Sequence, residues 1–393
     1  YFDKEKIKQE IQRLFPEDVV GYDNFLKKHE KKFITTYACL TIPYHRWWHY
    51  FRLKLLRAVF YMQNHLSVHG VLKKYFKNED MRIAMAFQAK YLGMSAWQCP
   101  GAFSILSYVE HAFGVWHPLG GVHKISEAMA KVAQENGAKI ILNTKVSKVN
   151  VENKKITSVT LNDGSVVEAD EFIMNEDFAY GMTELIEEKY RPSYSDSKLE
   201  NSKYSCSTFM IYLGLKKIYD LPHHNIFFSA EYKKNVDQIF ISKELPQDPS
   251  FYIHNPVVTD KSLAPAGKSA VYVLVPISNL SAKIDWQKEK NSFRNLIINK
   301  IKSIKGLEDI EEQIEVEKVI TPEDWQSNYS VYKGATFNLA HNLGQMLYMR
   351  PHNRFNDIDN LYLVGGGTHP GSGLPTIVES GRIASEMITK KYA

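Results

Sequence analysis

The sequence predicts an α/β fold with mixed α+β regions, and three patterns support this. A helix pattern over residues 122–136 leads directly into the apolar run 139–142, which reads as a buried strand; this is half of a βαβ unit and implies a parallel sheet. Alternating apolar residues between positions 146 and 167 are interrupted by turn residues, as in a small antiparallel meander. A short apolar strand at 361–364 is followed by a glycine-dense loop and a helix that begins near Leu374.

Length and composition are those of an ordinary globular chain without a nucleic-acid partner. The 393 residues allow two or three domains, and the apolar fraction of 44% and charged fraction of 24% are normal globular values. The net charge of +5 is too small to indicate nucleic-acid binding. Cys39, Cys99 and Cys206 are far apart in the chain, which favours a reducing compartment. No signal peptide and no membrane-spanning apolar run is visible, so a cytoplasmic location is expected.

The first third of the sequence is helical and partly basic. Residues 3–32 are charged and helix-prone, and helical patterns return over 68–91 and 103–113. Residues 44–57 combine aromatic side chains with Arg and Lys, and no Asp or Glu occurs between positions 31 and 78. A helix of this kind can place aromatic rings at the lipid headgroup boundary and its cations toward anionic lipid. A core helix with a solvated basic edge is the alternative.

The middle of the sequence predicts a second, mixed sheet. Apolar runs separated by turn clusters predict its strands at 208–213, 225–228, 250–254 and 271–276. A further strand predicted at 171–174, which ends in the polar residues 175–177, belongs to the region before this sheet. A helical pattern follows over residues 288–302.

The glycine-dense loop is the strongest local signal for a bound nucleotide. Gly365, Gly366 and Gly367 remove side chains between a strand and a helix, so main-chain N–H groups can approach a ligand closely. The following helix adds the positive end of its dipole, which suits a pyrophosphate or an electron-rich ring edge. No Lys-Ser or Lys-Thr pair follows the glycines, which excludes a nucleoside triphosphatase loop. A strand-to-helix glycine turn without a ligand is the alternative.

The run 361–375, Leu-Tyr-Leu-Val-Gly-Gly-Gly-Thr-His-Pro-Gly-Ser-Gly-Leu-Pro, resembles the carboxyl-terminal signature of bacterial phytoene and diapophytoene desaturases. Segments 88–93, 107–110, 114–121 and 261–267 resemble other parts of that family in the same order. The resemblance therefore covers the chain from about Val68 to its end. It implies an FAD-dependent flavoprotein with an incomplete FAD/NAD(P)-binding Rossmann-like domain and a mixed-sheet plus helical substrate domain.

The resemblance also implies a division of the chain into four segments. Residues 1–116 would form a helical region associated with membrane and substrate, and residues 181–335 a mixed-sheet substrate-binding domain. Residues 117–180 and 336–393 would both belong to the FAD-binding domain.

Individual cofactor contacts follow from the same resemblance. The glycine loop would lie along the ribityl and pyrophosphate groups of FAD, the main chain of 376–378 at the pyrimidine edge of the flavin, and that of Val146 against the adenine. Asn175 ends a strand of the same domain, and Gly120 and Gly121 match a loop near the flavin ring. A turn or cap without ligand contact is the alternative for each. The implied cofactor-binding positions are Gly120, Gly121, Val146, Asn175, Gly365, Gly366, Gly367, Thr368, Thr376, Ile377 and Val378.

One feature of the family is missing from the sequence. Its members begin with a strand, a Gly-x-Gly-x-x-Gly turn and a helix that hold the FAD diphosphate, and this chain contains no such motif. The chain is therefore expected to be an amino-terminally truncated fragment that binds FAD poorly as it stands.

The implied reaction removes two hydrogens across a C–C bond of a long isoprenoid polyene such as phytoene or diapophytoene, with hydride passing to the flavin. Such a substrate offers only apolar area for binding. Because it dissolves in lipid, it favours peripheral contact of residues 44–57 with the cytoplasmic membrane. Candidates to line its channel are Phe87, Tyr91, Phe103, Tyr108, Phe113 and Trp116.

The sequence names no catalytic residue and no metal ligand. His117, His123 and His369 lie in or beside the matched motifs, but His next to Pro or Gly is commonly a turn residue. No cluster of His, Cys, Asp or Glu has metal-ligand spacing along the chain. A carotenoid isomerase or oxidase, a retinol saturase-like enzyme and an inactive lipid-binding fragment remain alternatives. Substrate chain length and oligomeric state cannot be read from the sequence.

Overall fold

A computed structural model describes residues 3–37, 39–44, 48 and 53–393, with the side chains of 53–56 outside this description. Residues 45–47 and 49–52 of the predicted membrane-contacting stretch 44–57 therefore lie outside the described residues. The α-helices are α1 (Lys4–Leu14), α2 (Val19–Tyr37), α3 (Leu53–Met62), α4 (Val68–Leu72), α5 (Glu79–Ala86), α6 (Ile105–Phe113), α7 (His123–Glu135), α8 (Phe178–Leu185), α9 (Asp196–Asn201), α10 (Tyr232–Asp237), α11 (Trp286–Lys302), α12 (Pro322–Tyr329) and α13 (Leu374–Tyr392). The β-strands are β1 (Val146–Glu152), β2 (Lys155–Leu161), β3 (Val166–Val167), β4 (Phe172–Met174), β5 (Ser207–Leu215), β6 (His224–Phe227), β7 (Phe251–His254), β8 (Ser269–Ile277), β9 (Ile314–Ile320) and β10 (Leu361–Leu363).

The chain folds into two compact units. The first comprises Tyr1–Val115, Thr144–Ser205 and Phe337–Ala393, and the second comprises Trp116–Asn143 and Cys206–Thr336. The four segments predicted from the sequence are functional regions, whereas these two units are defined by packing alone. The packing does not test the functional division, which therefore stays a prediction.

The first unit contains a helical core and two small sheets. Its helical core, at α1, α2 and α4–α6, is built around the buried side chains of Tyr22, Phe25, Phe76 and Met85. Strands β1, β2 and β3 form the predicted antiparallel meander. Strand β10 pairs with β4 in parallel, so a parallel pair is present in this unit.

The second unit is a five-stranded sheet in the order β6-β7-β8-β5-β9, with antiparallel neighbours. Helix α11 covers the sheet and buries Phe293 and Ile297 against Phe209 and Val273. Four of these strands were predicted from their apolar runs. Strand β9 was not, because its sequence Ile-Glu-Val-Glu-Lys-Val-Ile alternates with charged residues that stay exposed or half-buried.

The strand predicted at 139–142 is wrong. These residues form no strand, and Ile141 and Leu142 are 69% and 77% exposed. A parallel strand requires a neighbouring strand for its hydrogen bonds, and in the described residues the parallel pair is β4 with β10. The helix predicted before it is present as α7, although Val122 and Met129 of its apolar face are exposed.

The predicted class, with helices and both parallel and antiparallel strands, is confirmed by these elements. No helix among the described residues combines the length and apolarity needed to cross a bilayer.

Candidate functional site

The parallel pair β4 and β10 ends at the glycine loop. Leu361 pairs with Phe172 and Leu363 with Met174, and the ladder extends one residue further through the Val364 N–H, which donates to the Met174 carbonyl at 3.1 Å. Because the strands are parallel, both chains leave the sheet at the same end. This is the end at which open α/β sheets bind their ligands.

Gly365 lies at this end beside Asn175. Its φ of +102° is in the region that favours glycine, and an added Cβ would come within 3.0 Å of the Asn175 side-chain oxygen. The Gly365 N–H donates to the Ser380 hydroxyl at 2.9 Å, and that hydroxyl donates to the Ile377 carbonyl at 2.5 Å. The predicted neighbours Asn175, Gly365 and Ile377 are therefore brought together.

The three glycines of the loop have different surroundings. A Cβ on Gly367 would lie 2.4 Å from Cβ of Phe178 and 2.6 Å from the Asn338 side-chain oxygen, so close packing against the protein accounts for this glycine. A Cβ on Gly366 would lie 3.1 Å from the Ser372 hydroxyl oxygen. Gly367 and Thr368 are buried, whereas Gly365 and Gly366 are half-buried. The main chain open to a ligand is therefore that of Gly365 and Gly366.

Helix α13 begins directly after this loop with an uncapped amino terminus. Its N-cap residue Gly373 has a φ of +114° and makes no side-chain cap hydrogen bond. The Thr376 hydroxyl donates backward to the Ser372 carbonyl at 2.8 Å, and Leu374 and Val378 are exposed. The first-turn N–H groups of a 19-residue helix are thus left for a ligand rather than for a side-chain cap.

Arg350 holds the loop from its buried side, and sequence reasoning missed it. Its guanidinium donates to the carbonyls of Gly366 at 2.6 Å, Thr368 at 2.9 Å, Gln345 at 3.2 Å and Leu339 at 3.3 Å. Burial lowers the pKa of Arg350 to about 9, so the side chain remains a cation at neutral pH. No sequence signal separates this buried arginine from the exposed Arg354 four residues later.

Two histidines hold residues 369–372, the second half of the loop, in place. The Ser372 N–H donates to Nε2 of His341 at 3.0 Å, and Nε2–H of His369 donates to the Ile42 carbonyl at 2.9 Å. Burial lowers the pKa of His369 to about 3 and that of His341 well below its usual range. Both rings are therefore neutral, and these contacts give His369 a structural role.

Other predicted cofactor positions lie elsewhere. Val146 begins β1 and pairs with Leu161, and Asn360 ties this meander to β10 by accepting from the Ile156 N–H at 2.8 Å. Gly120 and Gly121 belong to the second unit, where the Gly120 N–H donates to the Asp260 carboxylate at 2.6 Å.

The proposed channel aromatics differ in burial. Phe103 packs edge-on against His341 with ring centroids 6.0 Å apart, which places it next to a residue that holds the glycine loop. Tyr108 is buried and Tyr91 and Phe113 are half exposed, whereas Trp116 is 78% exposed in the second unit. A separate cavity of about 290 Å³ near α1 and α5 includes Glu110 and His111 and is too small for an extended polyene.

The residues at the loop fit part of a flavin nucleotide. The Gly365 N–H donates to Ser380, so the N–H donors offered to an anionic or electron-rich group are those of the half-buried Gly366, the Asn175 amide and the uncapped first turn of α13, whose dipole has its positive end here.

The chain is similar to known flavin-dependent proteins. Residues 59–389 match the model of the family described as flavin containing amine oxidoreductase. The chain is 47% identical to the 4,4'-diapophytoene desaturase (4,4'-diapolycopene-forming) of Methylomonas sp over 392 residues, which are 100% of this chain and 77% of that protein. It is 40% identical to the all-trans-zeta-carotene desaturase of Myxococcus xanthus, over 83% of this chain and 62% of that protein. It is 32% identical to the lycopene-forming phytoene desaturase of Pantoea ananas, over 98% of this chain and 78% of that protein.

Two solved structures share the fold at low identity. A putrescine oxidase triple mutant has a TM-score of 0.57 at 12% identity, over 94% of this chain and 76% of that chain. An oxidoreductase from Methanosarcina mazei has a TM-score of 0.53 at 16% identity, over 85% of this chain and 71% of that chain.

Proposed function

The chain belongs to the flavin containing amine oxidoreductase family, and we propose that within it the protein is an FAD-dependent desaturase of a long isoprenoid polyene such as diapophytoene or phytoene. The single structural observation that carries this proposal is the bend from β10 through Gly365 into the uncapped helix α13, at the end of a parallel pair. The identity of 47% to a diapophytoene desaturase supports the choice of substrate class.

Bound FAD supplies the acceptor for the hydride that leaves the substrate carbon. In this proposal the main chain at Gly365 and Gly366 and the first turn of α13 hold the nucleotide, with Asn175 beside them. On the buried side, Arg350 donates hydrogen bonds to the carbonyl oxygens of Gly366 and Thr368. These oxygens therefore need no hydrogen-bond donor from the ligand. We further propose cofactor contacts for Val146, Gly120 and Gly121, and an FAD-binding role for the regions 117–180 and 336–393.

Substrate recognition is proposed to rest on apolar area. A polyene has no charge or hydrogen-bonding group, so it is bound by burial, at about 25 cal/mol per Å². Phe103 is the best-placed candidate of the predicted aromatic group because its ring contacts His341, which holds Ser372 of the loop. The remaining aromatic residues and the region 181–335 are proposed to complete the substrate-binding part.

Peripheral contact with the cytoplasmic membrane is proposed for the surface of α3. Val59 and Phe60 are 58% and 86% exposed, and Arg57 is exposed on the same helix. Exposed apolar side chains beside a cation, in a stretch without acidic residues, are suited to an anionic lipid surface. A lipid-soluble substrate would reach the protein from that surface.

Product analysis in a bacterial host that accumulates either diapophytoene or phytoene tests the proposed reaction. The expected product has lost two hydrogens for each added double bond, as measured by mass spectrometry and by a red-shifted absorption spectrum. Unchanged mass with altered double-bond geometry would indicate an isomerase, added oxygen an oxidase, and gained hydrogen a saturase. Unchanged substrate in both hosts, with the protein present and flavin bound, would contradict the desaturase proposal. The same result with protein that carries no flavin would favour an inactive lipid-binding fragment.

A further inference from the structure

Three histidines meet at one edge of the sheet in the second unit. Strands β6 and β7 pair antiparallel with His224 opposite His254, and His223 directly precedes β6. The ladder continues past them, since the Asn255 N–H donates to the His223 carbonyl at 2.9 Å. One ring nitrogen from each of the three side chains lies within 4.8 Å of the others. Strand pairing therefore creates a cluster that the spacing along the chain does not reveal.

Hydroxyl groups orient two of these rings. Nδ1 of His223 lies 2.8 Å from the Thr259 hydroxyl, and Nδ1 of His224 is hydrogen-bonded to the Tyr252 hydroxyl. A hydroxyl oxygen can accept from Nδ1–H, which fixes the neutral tautomer whose Nε2 lone pair is available to an ion. Outer-shell hydrogen bonds of this kind orient histidine ligands in metal sites.

The third ring faces the first. Nε2 of His254 lies 2.8 Å from Nε2 of His223, and Nδ1 of His254 is buried without a hydrogen-bond partner among the described residues. Zinc–imidazole bonds of about 2.0–2.1 Å place two nitrogens of a tetrahedral site about 3.3 Å apart. The separations here, from 2.8 Å up to 4.8 Å, bracket that value, so small ring rotations would bring all three onto one ion. The ion would displace the proton that lies between Nε2 of His223 and Nε2 of His254 in the metal-free protein, and that proton would move to another ring nitrogen or to solvent.

The surroundings favour an ion that binds imidazole and enters from solvent. His224 is exposed and the other two rings are half-buried, which leaves an entry path and a position for water. The His117 ring lies 5.2 Å from that of His223, and its Nε2 is 3.2 Å from the Asp260 carboxylate. A set of neutral nitrogen ligands selects zinc, nickel or copper over magnesium or calcium.

We propose that His223, His224 and His254 bind a divalent transition-metal ion, with Zn²⁺ as the reference ion, and that the ion cross-links the start of β6 to the end of β7. The three histidines are not among the residues proposed to contact the flavin, so loss of metal binding and loss of flavin binding can be measured separately.

Metal binding by the untagged full chain tests this proposal. Zn²⁺ affinity would be measured by competition with a chromophoric chelator, and Co²⁺ would report the ligand geometry through its visible spectrum. We expect one tight equivalent for the unmodified chain. His224→Gln and His254→Gln should each weaken binding by more than about a hundredfold, the upper end of what loss of a supporting outer-shell partner costs. His65→Gln changes an exposed histidine of the first unit and should leave the affinity unchanged.

Thermal unfolding provides a second measurement that separates site loss from misfolding. Zn²⁺ should raise the unfolding temperature of the unmodified chain and of His65→Gln, because the assembled site of the folded state binds it more tightly than the unfolded chain does. His224→Gln should unfold at the metal-free temperature of the unmodified chain and gain nothing from Zn²⁺. A Zn²⁺ affinity of the His224→Gln and His254→Gln variants equal to that of the unmodified chain, or the absence of a tight equivalent in the unmodified chain, would overturn the proposal.

Discussion

The buried guanidinium of Arg350 donates a hydrogen bond of 2.6 Å to the carbonyl oxygen of Gly366, in the middle of the glycine bend. Three further carbonyls complete its set of acceptors, and one of them, Thr368, is in the same bend. A single cation thus fixes which way the carbonyls of the bend point.

Arg350→Met should destabilise the first unit. The substitution removes a donor from four carbonyls, of which that of Gly366 keeps the Ser372 hydroxyl. At about 1 kcal/mol for each of the other three, we expect a loss of about 3 kcal/mol. The midpoint of urea unfolding, followed by circular dichroism, measures this. Arg354→Met is the matched control, because Arg354 is exposed and should change stability by no more than about 0.5 kcal/mol. Equal midpoints for both variants would show that Arg350 does not hold the bend.

Gly365→Ala should weaken flavin binding beyond what the loss in the free energy of unfolding accounts for. The new Cβ would stand 3.0 Å from the Asn175 side-chain oxygen, at the strip of main chain proposed to meet the nucleotide. The left-handed backbone at a φ of +102° adds a cost of about 1–2 kcal/mol. Flavin absorbance per mole of purified protein, after incubation with FAD, is the measurement.

Gly164→Ala is the control for that backbone cost. Gly164 has a φ of +84° in the meander turn of the same unit, and nothing lies within 4 Å of its added Cβ. The Gly164→Ala variant should lose a similar free energy of unfolding and should bind flavin as the unmodified chain does. If both variants bind flavin equally, the Gly365 strip is not a nucleotide contact.

The glycine bend shows how far the sequence predicts this site. A strand, three glycines and a helix that starts at Leu374 are local features, and the structure has them at the predicted positions. The sequence could not separate the glycines, because the need for Gly367 comes from Phe178 and Asn338, which are distant in the chain. The same holds for His224 and His254, which are 30 positions apart in the chain and are brought together by strand pairing. At the glycine bend the local conformation was predictable, whereas the long-range contacts were not.

His29 should make the first unit sensitive to acid. The His29 side chain is 1% exposed. Its Nδ1 lies 3.0 Å from the Phe25 carbonyl and its Nε2 lies 2.8 Å from the Ser104 hydroxyl. Burial lowers the pKa of His29 from 6.5 to about 3. Between these values the unfolded chain binds a proton at this ring and the folded chain does not. Stability therefore falls as pH falls through this window, by about 1.4 kcal/mol per pH unit.

The pH dependence of His29→Gln isolates this contribution. Other buried histidines also change the stability between pH 6.5 and pH 4.5. The measurement is therefore the slope of the free energy of unfolding against pH over this range, compared between the variant and the unmodified chain. We expect the slope of His29→Gln to be shallower than that of the unmodified chain by about 1.4 kcal/mol per unit. His65→Gln, at an exposed position, should keep the original slope. A slope unchanged by His29→Gln would mean that the ring is protonated in the folded state.

Val59→Ser combined with Phe60→Ser should weaken binding to lipid vesicles. Both side chains are exposed on α3. Burying such a side chain in the membrane boundary contributes about 1.5–3 kcal/mol to the free energy of binding, so we expect the partition coefficient between vesicles and water to fall about tenfold or more. Flotation with vesicles of phosphatidylethanolamine and phosphatidylglycerol measures the partition coefficient. Added salt should weaken the binding of the unmodified chain, because it screens the attraction between the exposed Arg57 and anionic lipid. Val316→Ser removes a valine that is 66% exposed on β9 of the second unit, and it should float as the unmodified chain does. Equal flotation of all three proteins would place the membrane contact away from α3.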